Sequence, residues 1–193
     1  MNRRETILMA ALELLAQKGE ARLSTRTVCV AANVTAPTLY HHFGSADGLL
    51  SAVLTEGFRQ FLESKKAAEQ SSDAEIALRE GWENYVRFAA ERPRLYAAVM
   101  ARFLQGATIP ATEEAFALLR QRIAALEAEG RLAIAASDAL SIIWASANAA
   151  AQLYVTATLP ANAYLAAPDS RVIESICDQA VTSICTPRTE SEL

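Results

Sequence analysis

STRTVCVAANVTAPTLYHHFGSADGLL, residues 24–50, reads as two short helices around a tight turn, followed by the start of another helix. Ser24 or Thr25 can cap a first helix running to Ala32, its hydroxyl accepting a backbone N–H that otherwise lacks a partner. Asn33 stops that helix, because Asn tolerates the left-handed conformation better than other non-glycine residues. Val34 then pins the turn by burying its side chain between the two helices. Thr35 is placed to cap the next helix, and Pro37 falls in its first turn, where a missing N–H costs nothing. The spacing predicts a helix over 36–43 that stops near Gly44, and two such helices about a short turn form a helix-turn-helix, whose second helix enters a DNA groove.

On a helical wheel at ~100° per residue, Leu39 and Phe43 point one way while Pro37, Thr38, His41 and His42 point the other. Tyr40 lies at the edge between them, where its ring can pack and its hydroxyl reach outward, as expected of a phosphate contact. The adjacent His41 and His42 are no metal pair, since neighbours on a helix diverge by ~100° and neither has a Cys, His or carboxylate partner at ligand spacing. No metal and no cofactor are expected.

These residues resemble the TetR family of bacterial transcriptional regulators, with T-L-Y-x-H-F at Thr38, Leu39, Tyr40, His42 and Phe43, then Leu49 and Leu50 at the start of the fourth helix. That family has a helix ahead of the motif. Residues 3–18 supply one here, with Ile7, Leu8, Ala11, Leu14 and Leu15 at helical spacing and Gly19 placed to end it. The resemblance implies an all-α fold of about nine helices: a three-helix DNA-binding head over 1–48, a ligand-binding and dimerisation body over 49–186, and a flexible tail over 187–193. By position, it implies that Thr25, Tyr40 and His42 contact phosphates while Arg26, Ala36, Pro37, Thr38 and His41 face base edges, with Thr35 on the same surface. Arg26 could pair with a guanine, and Ala36 or Pro37 could touch a thymine methyl. Two positions depart from the pattern. The family usually has Gly where Asn33 stands, and a phosphate-contacting Lys where Ala46 stands, whose loss should flatten the salt dependence by roughly one unit of slope.

The net charge of −4 argues against nucleic acid until it is mapped along the chain. Residues 1–66 carry eight Lys and Arg against six acids, so the amino-terminal third is +2 and the remainder −6. An acidic body would bias approach so that the head faces the duplex. A hydrophobic content of 52% suffices for a sizeable core, and 7 Gly with 6 Pro leave little room for disorder. Cys29, Cys177 and Cys185 form neither a C-x-x-C pair nor metal spacing, which suits a reducing cytosol. Cys177 and Cys185 lie ~12 Å apart along one helix, too far for a disulfide, and read as core fillers. The opening MNRRETILMAALELLAQKG has a basic tip before an apolar run, but Glu5 and Glu13 interrupt it at amphipathic spacing, so it is no signal peptide. With no run of ~18 uncharged apolar residues, no membrane span is expected, and the location is cytoplasmic.

Beyond the motif, a helix should continue to about Lys66, with residues 67–73 as a linker and Ser72 or Asp73 capping a helix over 74–91. Further helices are expected at 93–105, 111–129, 138–159 and about 169–185. The helix from Asp138 is apolar nearly all round, with Leu140, Ile143, Trp144, Ala147, Ala151 and Tyr154 as one stripe, and such a helix is buried on more than one side. It and the last helix could pair with their copies in a homodimer, as the resemblance implies, which would set two heads in successive major grooves of a near-palindromic double-stranded DNA site. The resemblance also implies a small-molecule effector within the body. Trp82, Tyr85, Phe88, Met100, Phe103, Trp144, Asn148 and Gln152 are the candidates, with Asn148 and Gln152 as amides one turn apart on an apolar helix that need partners. Nothing offers a paired acid and base, a phosphate loop or a nucleophile elbow, so no catalytic residue is expected. A helical protein-binding adaptor without DNA binding is the competing reading, for which the acidic body would suffice.

Overall fold

The computed structural model describes residues 2–66, 71–107, 109–158 and 166–186. These are all-α, with nine helices and no strand among the described residues. The helices are α1 (Arg3–Lys18), α2 (Thr25–Ala32), α3 (Ala36–Phe43), α4 (Ala46–Lys66), α5 (Ala74–Glu91), α6 (Pro93–Leu104), α7 (Pro110–Ala128), α8 (Ala136–Ala157) and α9 (Ser170–Ile184), with a single 3-10 turn at Glu20–Arg22. Each α-helix lies within two residues of its expected bounds. The expected tail, 187–193, and most of the linker fall outside the described residues.

The chain packs as two compact units, one of Met1–Lys65 with Arg92–Glu113, the other of Lys66–Glu91 with Glu114–Leu193. This division by packing does not follow the functional boundary drawn after residue 48, because α4 and α6 supply much of the apolar surface of the first unit.

In that first unit α1 begins with a reciprocal cap: the Asn2 side chain accepts from the Glu5 N–H at 2.9 Å, and Glu5 accepts from the Asn2 N–H at 3.1 Å. Its Ile7, Ala11 and Leu15 are fully buried, as are Val28 of α2, Leu39 of α3 and Val53 and Leu54 of α4. Gly57 marks the tightest approach. A Cβ there would stand 2.7 Å from a Leu95 methyl and 2.9 Å from a Leu12 methyl, so α4 passes between α1 and α6 only because this residue lacks one. From α6, Arg94 donates to the last carbonyls of α1, those of Ala16 and Gln17, which have no partner within their own helix.

In the second unit α5, α8 and α9 pack closely through small residues, including Ala74, Ala139, Ala147, Ala150 and Ala180, while α7 adds Ile123 and Leu126. Asp73 caps α5, accepting from the N–H groups of Glu75 and Ile76 at 2.8 and 3.0 Å. Those bonds, Ile76's foremost, together with the neighbouring Arg131 hold its carboxyl below the usual range. Arg131 meets Asp73, Glu75 and Glu129 at 3.2, 2.6 and 3.0 Å. The turn after α7 is laced to the end of α9 by Ala133 N–H to the Ile184 carbonyl (2.8 Å) and Thr186 N–H to the Arg131 carbonyl (2.9 Å). Cys177 is buried and its thiol is pushed up to about 11 by that burial, which keeps it protonated and inert at neutral pH.

Candidate nucleic-acid interface

Ser24 rather than Thr25 caps α2. Its hydroxyl accepts from the Thr27 N–H at 3.2 Å, and the Thr27 hydroxyl accepts from the Ser24 N–H at 3.0 Å. Thr25 is thereby freed for the surface, where its hydroxyl lies 3.2 Å from that of Tyr40. Two of the three side chains expected at phosphates thus stand side by side, on different helices, with Tyr40 43% exposed. Arg26 is exposed on the same first turn and has no ion pair or hydrogen bond among the described residues.

The turn is built as the residues dictate. Asn33 sits at φ 51°, ψ 54°, the one non-glycine residue with positive φ among those described. Val34, half-buried, then donates its N–H to the Cys29 carbonyl at 3.0 Å, closing the end of α2.

Thr35 differs from expectation. It occupies the capping position, yet its hydroxyl turns to that of Thr38 at 3.0 Å and makes no side-chain cap. The positive end of α3 is left without an internal acceptor on that side chain. Ala36 and Pro37 are exposed, Thr38 half-buried, His41 exposed and His42 half-buried, while Leu39 is fully buried beneath them. The two histidine rings lie 5.2 Å apart, edge to face. Among the described residues no three His, Cys, Asp or Glu side chains are placed to hold a metal.

Three supports of this surface escaped sequence reasoning. The Arg4 guanidinium lies 5.1 Å from the Phe43 ring centre, tying α1 to the end of α3 by a cation–π contact that no local spacing announces. Ser45 starts α4 by accepting from the Gly48 N–H at 2.9 Å, a cap legible in principle from a Ser directly after Gly44. Arg102 of α6 donates to Asp47 at 2.5 Å and to Ser51 at 3.0 Å in the first turns of α4. Beside them Ala46 is exposed, with no cation on the first turn of α4. Val30, 77% exposed on α2 one turn beyond Arg26, was not anticipated either.

The effector candidates divide between the units. Met100 and Phe103 of α6 belong to the first. In the second, Trp82 is buried and donates to the Ser146 hydroxyl at 2.9 Å, and Phe88 is buried too. The Tyr85 hydroxyl donates to the Asn148 amide oxygen at 2.9 Å, and the Asn148 amide nitrogen donates to the Trp144 carbonyl at 2.7 Å. Asn148 therefore has protein partners, contrary to the reading that it awaits one, and Gln152 is exposed rather than a buried amide. The two amides diverge because α8 turns one flank, with Ser141, Ile142, Ala145, Ala149 and Gln152, away from the core.

Residues 7–53 match the family described as bacterial regulatory proteins, tetR family. Across nearly its whole length the chain is similar in fold to solved structures. One is a protein of unknown function from Rhodococcus sp. RHA1 (21% identity, 96% of this chain and 97% of that one, TM-score 0.79). Another is a TetR family transcription regulator from Marinobacter aquaeolei VT8 (16% identity, 96% of each chain, TM-score 0.70). A third is a TetR-family transcriptional regulator from Haemophilus influenzae Rd (20% identity, 95% and 97%, TM-score 0.63). Among curated proteins none matches.

Proposed function

We propose that the chain, whose residues 7–53 match the tetR family of bacterial regulatory proteins and whose fold is shared along its length with solved structures, is a TetR-family regulator: a cytoplasmic repressor that binds a near-palindromic operator as a homodimer and leaves it when a small amphipathic ligand binds. The observation that carries the DNA reading is the outer surface of α3. Exposed Ala36, Pro37 and His41 lie over a buried Leu39, flanked by the paired hydroxyls of Thr25 and Tyr40 and by the exposed Arg26. Small apolar groups and one unencumbered guanidinium suit thymine methyls and guanine edges, and neutral hydroxyls suit phosphate oxygens.

The dimer reading is supported by two faces that the single chain leaves uncovered. On α8 these are Ile142 and the small residues around it; on α9 Val172 is exposed, and an open groove of ≈ 410 Å³ is lined by Asp169, Arg171, Val172, Ser175 and Ile176. Paired with their copies, the two helices would make a four-helix interface. Among the described residues no helix is long and apolar enough to cross a membrane.

Sequencing of genomic fragments captured by the purified protein at moderate salt tests the function and requires neither the operator nor the ligand to be identified first. One enriched near-palindromic motif is the expected result. That motif should lose affinity in the double variant Arg26→Ala, Tyr40→Phe, with helix content and oligomeric state unchanged. No enrichment down to low salt would overturn the reading in favour of a protein-binding adaptor.

A further inference from the structure

We propose that the carboxyl-terminal unit holds a binding site for a carboxylate-headed amphipath, with the Arg122 guanidinium seating the head group and the rings of Phe116 and Trp144 flanking the apolar part. The site gives the effector reading a ligand class and rests on that reading only for what binding does at DNA.

Arg122 reaches from α7 to α5 and lies on Gly81. A Cβ at Gly81 would stand 1.8 Å from the guanidinium Nη1 and 2.6 Å from Cζ, so the group rests on helix backbone that only glycine leaves bare. Glycine inside a helix costs roughly 1 kcal/mol against alanine. Here that cost makes the seat. The guanidinium is half-buried, and burial holds its pKa below the ordinary value while the charge of Glu80 opposes that fall. The other half-buried arginines of this unit are answered by carboxylates: Arg131 by Asp73, Glu75 and Glu129, and Arg79 by Glu75 and Asp178. Among the described residues Arg122 has no such ion pair and no hydrogen bond. A desolvated cation on a seat cleared for it, with Glu80 acting on it only from beyond ion-pair distance, leaves its N–H groups open to an arriving anion. The planar fork of a guanidinium fits a carboxylate by two parallel N–H bonds.

The apolar half lies along the same helix. Phe116 is six residues before Arg122, ~9 Å by helical rise, and its ring centre is 6.1 Å from that of Trp144. Both rings are half-buried. Tyr85, one turn beyond Gly81 on α5, is bonded to Asn148, itself one turn beyond Trp144 on α8. Cation and rings are therefore ~9 Å apart along α7 and ~120° apart around it, and are linked through α5 and α8 by Gly81, Tyr85, Asn148 and Trp144, a separation that a head group with an apolar chain can bridge.

Decanoate and decan-1-ol, which share a chain and differ in the head group, are the probes. Each is titrated into the full-length protein with Trp82 and Trp144 fluorescence as readout, after melting curves confirm that each variant folds. The wild type should bind decanoate more tightly than decanol. Arg122→Met should lose at least tenfold in decanoate affinity, about 1.4 kcal/mol, and bind decanol unchanged. Arg122→Lys should fall between, since it keeps the charge and loses the fork. Gly81→Ala, which leaves Arg122 in place but removes its seat, should weaken decanoate as well and serves if the Met variant does not fold. Decanoate binding unaltered in Arg122→Met and Gly81→Ala, decanol binding as tightly as decanoate, or no binding of either would each overturn the proposal. Arg122-dependent decanoate binding that leaves operator DNA occupied supports the site and counts against effector release alone.

Discussion

Replacing Ala46 by Lys should strengthen operator binding and steepen its salt dependence. Ala46 is exposed at the first residue of α4, beside the reading surface. A lysine there would extend into solvent rather than fold back onto Asp47, because Arg102 already occupies that carboxylate at 2.5 Å. Each added phosphate contact raises the slope of log K against log salt by about 0.9, hence about 1.8 for a dimer with two heads. The same relation gives roughly an eightfold gain per contact at 0.1 M salt relative to 1 M, where screening removes it. Against this stands a positive charge at a helix amino end, which costs roughly 0.3–1 kcal/mol of stability. For a chain of this size that is a melting temperature lower by at most ~4 °C. Binding therefore gains while folding loses slightly, and the two effects are separable. Fluorescence anisotropy on the recovered operator at five or six salt concentrations measures the first, and a melting curve the second. An unchanged slope, with the variant folded, would refute the placement of the first turn of α4 against a phosphate.

Gly57→Ala gains helix propensity, ~1 kcal/mol, but drives a methyl to within 3 Å of Leu95 and Leu12; overpacking of 1–3 kcal/mol should win, giving a net destabilisation of up to ~2 kcal/mol in urea melts. Asp73 titrates below its ordinary value when folded, so the unfolded chain binds more protons in the acid range and the residue's contribution is present above the unfolded carboxyl pKa and lost as pH falls through the lower folded value. Asp73→Ala should therefore cost about 1 kcal/mol near pH 7, with the gap to wild type closing below about pH 4, as read from chemical denaturation across pH. Cys177 should resist a thiol reagent in the native protein at pH 8 and react once the protein is unfolded, whereas modification at the rate of an exposed thiol would contradict its burial.

Local chemistry made the helix boundaries legible. Pro37, Pro93 and Pro110 fix the backbone at their own positions, while Asn33 and Gly44 tolerate the positive φ that ends a helix, and a preference of either kind is written in the residue itself. The outward face of α3 followed for the same reason: on a helix of two turns with Leu39 buried, the outward side chains are fixed by the 100° step. Choices between neighbours were less legible. Ser24 and Thr25 offer the same hydroxyl, and only the backbone at Ser24, φ −110° and ψ 155°, decides which one caps. Thr35 shows the converse, with the backbone of a cap and a hydroxyl drawn away by Thr38. The interior of the second unit was least legible, because an amide's partners come from another helix. Nothing local to Asn148 names Tyr85, 63 residues away in sequence, and nothing local to Arg122 names Gly81.

The position of the proposed reading surface within its own unit depends on α6 as much as on the motif. Arg94 at one end of α6 holds the last carbonyls of α1, and Arg102 near the other holds Asp47 and Ser51 at the beginning of α4. Between them Leu95, Tyr96, Ala98 and Val99 are buried, and Gly57 keeps the helices too close for α6 to slide without displacing Leu12. Hydrogen bonds to charged groups contribute about 1.5–3 kcal/mol where they are sheltered and less where they are wet. Asp47 is 69% exposed, so its bond belongs to the weaker class. The apolar contacts must therefore keep α6 in register, while the arginines fix which turn of α1 and of α4 it meets. A typical allosteric coupling of ~1–3 kcal/mol is comparable with one of these polar links and smaller than the burial of Leu95 and Val99 together. A signal of that size acting on α6 would exchange or loosen an arginine contact and leave the core intact, which makes Arg102 the first side chain whose removal should alter operator affinity without touching the reading surface.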